Sequence, residues 1–165
     1  MSKPNREELQ IRIKTIVPTP SGCGIFLTDD ASKVVAIFVD HSVAAAITMA
    51  LHKIKQPRPM THELISNIFT GLGVKVEKVI INDLQEDTYF ARLFLVQTNE
   101  IGRSVIELDS RPSDAMAIAL REECPIFVTR DVWDRAQDMS WALEQAQKKI
   151  AEDNEKGDEP DTPEK

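Results

Sequence analysis

The sequence lacks the features that mark disulfide-rich, zinc-binding and membrane proteins. It has only two cysteines, Cys23 and Cys124, which stand far apart and form no paired motif. Neither a disulfide framework nor a cysteine-based zinc site is therefore expected. No apolar run approaches the roughly 20 residues that span a bilayer, and MSKPNREELQ at the start has no apolar core for a signal peptide. We expect a cytoplasmic protein that makes no membrane contact.

Acidic charge is concentrated at the end of the chain. The last fifteen residues hold seven acidic residues and two lysines, so they account for −5 of the formal net charge of −7. This segment, residues 151–165, has no apolar side chain after Ala151 and contains two prolines. It cannot bury enough surface to offset its ordering entropy, so we predict a disordered acidic tail. Residues 1–150 are predicted to form one nearly neutral domain.

The spacing of apolar residues predicts an α+β fold. Residues 9–17 alternate between apolar and polar side chains, as a half-exposed strand does. Further strands are predicted at GIFL, VVAIFV, 74–82, 88–97, 103–109 and PIFV. One helix is predicted at 42–54 with Ser42 as its cap, and a second follows Thr61 as its cap. A third helix is predicted to begin at RPSDA, and helical sequence follows PIFV. The order β-β-β-α-α-β-β-β-α-β-α favours a single domain with a mixed, largely antiparallel sheet and helices packed on it.

Polar side chains crowd the junction between a predicted strand and a predicted helix. Between VIEL and AMAIAL, five of six positions are polar: Asp109, Ser110, Arg111, Ser113 and Asp114. Ligands commonly bind at such junctions, because helix N–H groups and loop side chains converge there. A structural role explains the same residues, since Pro112 suits the first helical position, Arg111 then caps the helix, and Asp114 complements its dipole. The spacing alone leaves both interpretations open.

The strongest positive patch lies just before the second predicted helix. Residues 41–62 include no acidic residue. Basic residues beside a helix start suit a phosphate backbone, although a solvated loop has the same composition. His62, one residue past the predicted cap Thr61, either transfers protons or only bonds a neighbouring loop. The basic residues of this patch are Lys53, Lys55 and Arg58.

Taken together, these segments resemble the bifunctional nuclease family, a DNase and RNase domain. The resemblance covers residues 9–135 and depends on four motifs in the family's order and spacing, followed by PIFV: RPMTHEL (58–64), VIINDL (79–84), TYFARL (88–93) and DSRPSDAMAIAL (109–120). Four ordered motifs are more specific than any one of them. The resemblance implies a compact α+β domain, often oligomeric, that acts on both DNA and RNA.

One segment departs from the family pattern. Members of the family usually carry a tryptophan, a glycine and then a glutamate where this chain reads VAIFVDHSVAAAI, residues 35–47. Phe38 keeps the aromatic character, Asp40 replaces the glycine, and no glutamate follows. If that glutamate serves catalysis, its loss weakens or abolishes activity unless Asp40 substitutes for it.

We therefore expect a nuclease-like phosphodiesterase acting on DNA and RNA. Asp109 and Asp114 are expected to hold a divalent ion, Mg²⁺, that activates water, while Arg111 holds a phosphate oxygen and His62 assists proton transfer. Five residues are expected to bind the nucleic acid: Lys53, Lys55, Arg58, Thr61 and Ser113. A homodimer or higher homo-oligomer is expected as well. The alternative is a non-catalytic regulatory module that binds a nucleotide or nucleic acid on the same fold.

Overall fold

Seven strands and five helices make up most of the described chain. The computed structural model describes residues 7–31 and 33–156. The strands are β1 (Glu8–Thr19), β2 (Gly22–Thr28), β3 (Val34–Val39), β4 (Val74–Gln85), β5 (Thr88–Asn99), β6 (Gly102–Ser110) and β7 (Ile126–Thr129). The helices are α1 (His41–Leu51), α2 (Thr61–Gly71), α3 (Pro112–Glu122), α4 (Arg130–Arg135) and α5 (Ser140–Lys156).

The described strands form one sheet in the order β3-β2-β1-β7-β4-β5-β6. Every neighbouring pair is antiparallel except β4 and β7, which run parallel. The β4–β5 hairpin turns at Glu86 and Asp87, whose positive φ angles of 46° and 63° suit the twist of a two-residue hairpin turn. The predicted α+β fold with a mixed, largely antiparallel sheet is confirmed.

Helix α3 lies in the middle of the main hydrophobic core. Five consecutive side chains, Ala115–Ala119, are buried, and small alanines let neighbouring elements approach closely. Helices α1, α2 and α3 lie on one face of the sheet, where α3 contacts α1, α2, β4 and β5. On the other face, Leu143 of α5 packs against Phe26 of β2 and Val34 of β3. The position of α3 is therefore fixed from several sides.

Two predicted helix caps are wrong. Helix α1 is capped by Asp40, not Ser42, because the Asp40 carboxylate accepts hydrogen bonds from the backbone N–H groups of Ser42 and Val43, each at 3.0 Å. The helix also ends at Leu51, three residues before the predicted end. Helix α2 begins at Thr61 itself, with Met60 as the cap residue.

Helix α5 runs further than the sequence pattern predicted. It continues to Lys156, so the first six residues of the predicted acidic tail are helical. Residues 157–165 of that predicted tail lie outside the described residues. Among the helices that the structure describes, none is long and apolar enough to cross a membrane.

Gly22 lets strand β2 lie close to the end of strand β3. A Cβ atom added there would lie 2.2 Å from the carbonyl oxygen of Val39, so backbone would have to move. We expect Gly22→Ala to destabilise the fold by about 1–3 kcal/mol, as overpacking typically does. Gly71→Ala is the matched control, because a Cβ atom there meets nothing within 4 Å. Equal thermal denaturation midpoints for the two variants would contradict this assignment.

Candidate functional site

The polar junction predicted from the sequence forms the amino-terminal turn of α3. Arg111 is the cap residue, Pro112 is the first helical residue, and Asp114 lies in the first turn. This arrangement confirms the predicted helix start. It also places an acidic side chain where the helix dipole favours negative charge.

The carboxylate of Asp114 joins two other candidate residues. Arg111 donates through Nε to Oδ2 at 2.6 Å and through Nη2 to Oδ1 at 3.0 Å. His62, from helix α2, places its Nε2 3.2 Å from Oδ1 of the same carboxylate. The exposed fractions of the side chains are 70% for Arg111, 29% for Asp114 and 13% for His62. In this cluster Arg111 is therefore largely exposed to solvent, Asp114 is half-buried and His62 is nearly buried.

The electrostatics favour an ionised Asp114. Burial by itself raises the pKa of this carboxyl, but the hydrogen bonds from Arg111 and His62, together with the charge on Arg111, outweigh burial and the pKa is lowered. The hydrogen bonds that Arg111 donates to Asp114, together with the charge of that carboxylate, raise the pKa of the Arg111 guanidinium. An anionic Asp114 thus orients both partners.

A second contact between α2 and α3 holds His62 in place. Glu63 accepts a hydrogen bond from Nη1 of Arg121 at 2.9 Å, and both side chains are largely buried. Glu63 also accepts from the backbone N–H of Met60 at 2.8 Å, which fixes the first turn of α2. The Nε2 atom of His62 is bound to Asp114, whereas its Nδ1 atom has no hydrogen-bond partner among the described residues. That nitrogen is chemically available if Nε2 carries the proton.

Two cavities meet at Arg111. A cleft of about 650 Å³ lies on one side and a groove of about 970 Å³ on the other, and Arg111 lines both. Both linings are mixed; the cleft has the more polar lining and is called the polar cleft, and the other is called the apolar groove. His62 and Asp114 line the groove, beside Ile68 and Leu108. A ligand in either cavity therefore lies against the arginine.

Residues that sequence reasoning did not select line the polar cleft. Arg135 of α4 and Gln137, which follows that helix, lie in this cleft. They share it with Phe38 and with Tyr89 of the TYFARL motif, whose aromatic strand suggests a base-stacking residue. Arg135 donates to the Leu84 carbonyl at 3.0 Å, so it is anchored to the β4–β5 hairpin. No local pattern distinguished Arg135, because only the folding of the sheet brings its segment to the cleft.

Asp40 serves mainly as a helix cap. Hydrogen bonds from Ser42 and Val43 lower the pKa of its carboxyl, with a smaller contribution from the charge of Arg111. Asp40 lines the polar cleft with Arg111. Its carboxylate is already engaged by the first turn of α1.

Most of the predicted phosphate-binding residues lie away from this cluster. Lys53 forms an ion pair with Glu123, just after the carboxyl end of α3, and Lys55 lines a small pocket beside it. Nine residues at about 1.5 Å each separate Asp114 from Glu123, or about 13 Å along the helix. Arg58 lies exposed in the preceding loop, Thr61 lines the apolar groove, and Ser113 is buried at the wall of the cleft.

Asp109 and Asp114 do not form a metal-ligand set. Asp109 is among the residues that line the apolar groove with Asp114. It lies opposite Arg92 in the β5–β6 register, and alternation along the strand turns its side chain to the sheet face opposite Leu108 and the helices. Both oxygens of Asp114 accept from protein donors. Across residues 7–31 and 33–156 there is no group of three or more His, Cys, Asp or Glu side chains that could hold an ion. The donor set does not fit the predicted Mg²⁺.

Comparison with known proteins gives a consistent result. The sequence model of the bifunctional nuclease domain matches residues 25–140. An uncharacterized protein of Mycobacterium tuberculosis is 35% identical over 130 residues, which cover 77% of this chain and 75% of that protein.

Plant proteins are similar over a shorter stretch. Bifunctional nuclease 1 of Oryza sativa subsp. japonica is 32% identical over 107 residues, and bifunctional nuclease 1 of Arabidopsis thaliana is 27% identical over 104 residues. These matches cover 64% and 63% of this chain and 32% of each plant protein. Because the domain model matches well over half of the sequence, this chain belongs to the bifunctional nuclease domain family.

Proposed function

We propose that this protein hydrolyses phosphodiester bonds in DNA and RNA, with Arg111, Asp114 and His62 as its reactive centre. The observation that carries the proposal is that one ionised carboxylate, Asp114, binds an exposed arginine and a histidine at the same time. Hydrolysis needs a base that takes a proton from water and a positive charge that stabilises the phosphoryl oxygens. A histidine oriented by an aspartate can supply the first, and an arginine beside it can supply the second. Two plant relatives from the same family are named bifunctional nucleases.

In the proposed reaction, His62 acts as the general base. With Nε2–H donated to Asp114, Nδ1 accepts a proton from a water molecule as its oxygen attacks phosphorus. The bond from phosphorus to the leaving ester oxygen breaks, and that oxygen takes a proton from solvent. Because water is the nucleophile, the reaction needs no 2′-hydroxyl group, which is why one centre can serve both DNA and RNA.

Arg111 stabilises the negative charge that develops on the phosphoryl oxygens. Its Nε and Nη2 atoms bind Asp114, while Nη1 donates to no group in the described part of the chain. A guanidinium held in place by a carboxylate loses little further freedom when it binds phosphate. The amino-terminal turn of α3 adds the favourable end of a helix dipole.

The polar cleft is proposed to hold the nucleic-acid strand beside this centre. Phe38 presents an exposed ring in the same cavity as Arg111, with Tyr89 and Arg135 nearby. Aromatic rings stack on any base, so they bind single strands without strong sequence preference. The cleft therefore combines a stacking surface with two guanidinium groups.

Replacement of the reactive side chains should abolish turnover while the fold persists. We expect His62→Ala and Asp114→Asn each to lower kcat by about a hundredfold or more, because general base catalysis and its orientation are lost. His52→Ala is the control, since His52 is exposed beyond the end of α1. Cleavage of fluorescent DNA and RNA oligonucleotides measures the effect. Unchanged cleavage by His62→Ala would refute the proposed base, and binding without turnover in the unmodified protein would favour the regulatory alternative.

Hydrolysis is expected to persist when divalent ions are removed. Both oxygens of Asp114 already accept hydrogen bonds from protein donors, and residues 7–31 and 33–156 contain no group of three or more His, Cys, Asp or Glu side chains that could hold an ion. Activity in excess EDTA should stay within about twofold of the activity in buffer. A change of that size is well below the tenfold loss that accompanies an increase of about 1.4 kcal/mol in activation free energy. A large loss in EDTA that Mg²⁺ restores would return the reaction to metal-assisted hydrolysis.

Loss of the exposed ring in the cleft should weaken binding more than chemistry. Phe38→Ala is expected to raise KM for single-stranded substrates by about tenfold, since stacking contributes about 1–3 kcal/mol per base, and to leave kcat nearly unchanged. Trp141→Ala is the matched control, because Trp141 is 71% exposed, as against 62% for Phe38, but belongs to α5 and does not line the cleft. Equal KM values for the two variants would exclude stacking on Phe38.

A further inference from the structure

The lining of the apolar groove changes along the helices that form it. Its charged groups lie at the helix starts: His62 in the first turn of α2, Asp114 in the first turn of α3, and Arg111 at the cap of α3. Further along the same two helices the lining is apolar and consists of Ile65, Ile68, Phe69 and Ile118. Ile118 follows Asp114 by four residues, or about 6 Å along the helix. The groove is therefore charged at the proposed reactive centre and apolar beyond it.

This division matches the chemistry of a nucleotide. A nucleotide carries an anionic phosphate at one end and, at the other, a base whose flat faces pack on apolar and aromatic side chains. The Nη1 atom of Arg111 donates to no group in the described part of the chain, so it is available for the phosphate. Ile68 and Phe69 offer apolar surface to the base, and the Thr61 hydroxyl can bond its edge. The groove thus suits a base whose phosphate is bound at Arg111.

We propose that the apolar groove binds one nucleoside of the substrate and the polar cleft binds the next, with the phosphate between them at Arg111. Arg111 lines both cavities and is 70% exposed, so a phosphate bound to it lies where the two cavities meet. This arrangement, which rests on the proposed hydrolysis, requires an unpaired strand, because a base must leave a duplex before it can enter a groove of the protein.

The position of His62 determines which nucleoside leaves. His62 lines the apolar groove and not the polar cleft, so the water that it activates approaches from the groove side. The attacking and leaving oxygens lie on opposite sides of phosphorus in phosphoryl transfer. The bond from phosphorus to the ester oxygen of the cleft nucleoside therefore breaks, and that oxygen takes a proton from solvent. The new phosphate monoester stays with the groove nucleoside.

Neither cavity requires the end of a strand. Both are open to solvent and not enclosed, so a strand can continue beyond each of them. The groove follows α2 from Thr61 to Phe69, eight residues or about 12 Å along the helix. A strand that crosses Arg111 can thus enter and leave on either side. Cleavage is therefore endonucleolytic.

Binding of a product nucleotide tests the groove without turnover. The probes are adenosine 5′-monophosphate and adenosine 3′-monophosphate, because a phosphate monoester stays with the groove nucleoside. We expect Ile68→Ala to raise the Kd of the tighter probe about tenfold, because the base loses apolar contact. Phe38→Ala should change it less than twofold, because Phe38 lines the other cavity. Leu64→Ala is the matched control: Leu64 is 54% exposed, as against 47% for Ile68, and lies one turn before it on α2 but does not line the groove.

Calorimetric titration of the full chain separates the outcomes. A loss of affinity confined to Ile68→Ala supports the proposal, whether or not hydrolysis is detected. Equal losses in Ile68→Ala and Leu64→Ala would assign this side of α2 to a protein contact and overturn it. A loss in Phe38→Ala alone would place the product in the polar cleft and overturn it as well, as would the absence of binding by both probes.

Cleavage of a closed circle tests the path of the strand. Circular single-stranded DNA and its linear form should be cleaved at initial rates within about threefold of each other. A relaxed circular duplex of the same sequence should be cleaved at least tenfold more slowly, because unpairing costs free energy. Cleavage of the linear strand alone would show that a chain end is needed, and equal cleavage of the duplex would show that unpaired bases are not; either would overturn the path. If no substrate is cleaved, the proposed hydrolysis fails, and nucleotide binding decides on the groove.

Discussion

The burial of α3 at the centre of the core is the constraint on which the rest of the site depends. Because Ala115–Ala119 are enclosed by other helices and by the sheet, the helix can neither rotate nor slide without opening the core. Its first turn therefore has a fixed position at the end of β6. The position of Asp114 is fixed in the same way, because it lies in that turn, and its carboxylate orients Arg111 and His62. The chemistry of the cluster is thus determined by packing several residues away from it.

The curvature of the sheet explains why the polar cleft combines residues from both of its edges. Six strand intervals of about 4.8 Å would place the outer strands about 29 Å apart in a flat sheet. Yet Phe38 of β3 and Arg111, which follows β6, line the same cleft. The sheet must therefore coil strongly around the central helix. This coiling brings the stacking ring and the phosphate-binding cation within reach of one substrate.

Local sequence was sufficient for some of this structure and not for the rest. Proline chemistry located the start of α3, and apolar spacing located the strands, because both signals depend on neighbouring residues. The caps of α1 and α2 were missed because neighbouring residues compete for each cap position. For α1 the outcome depends on where the chain leaves β3, and for α2 it depends on where the chain leaves the preceding loop. Pairing of Asp109 with Asp114 was expected from sequence proximity, but alternation along a strand sends Asp109 to the other face. Arg135 reaches the cleft only through long-range folding.

Helix α2 determines where His62 stands in the proposed reactive centre. Its first turn supplies His62, while Leu64, Ile68 and Leu72 form the apolar side that borders β6. Ile65 and Phe69 of this helix pack against the core without being fully buried, and the ion pair between Glu63 and Arg121 adds a polar contact to α3. The hydrogen bond between His62 and Asp114 therefore depends on how α2 packs against α3, as well as on the fixed position of α3 in the core.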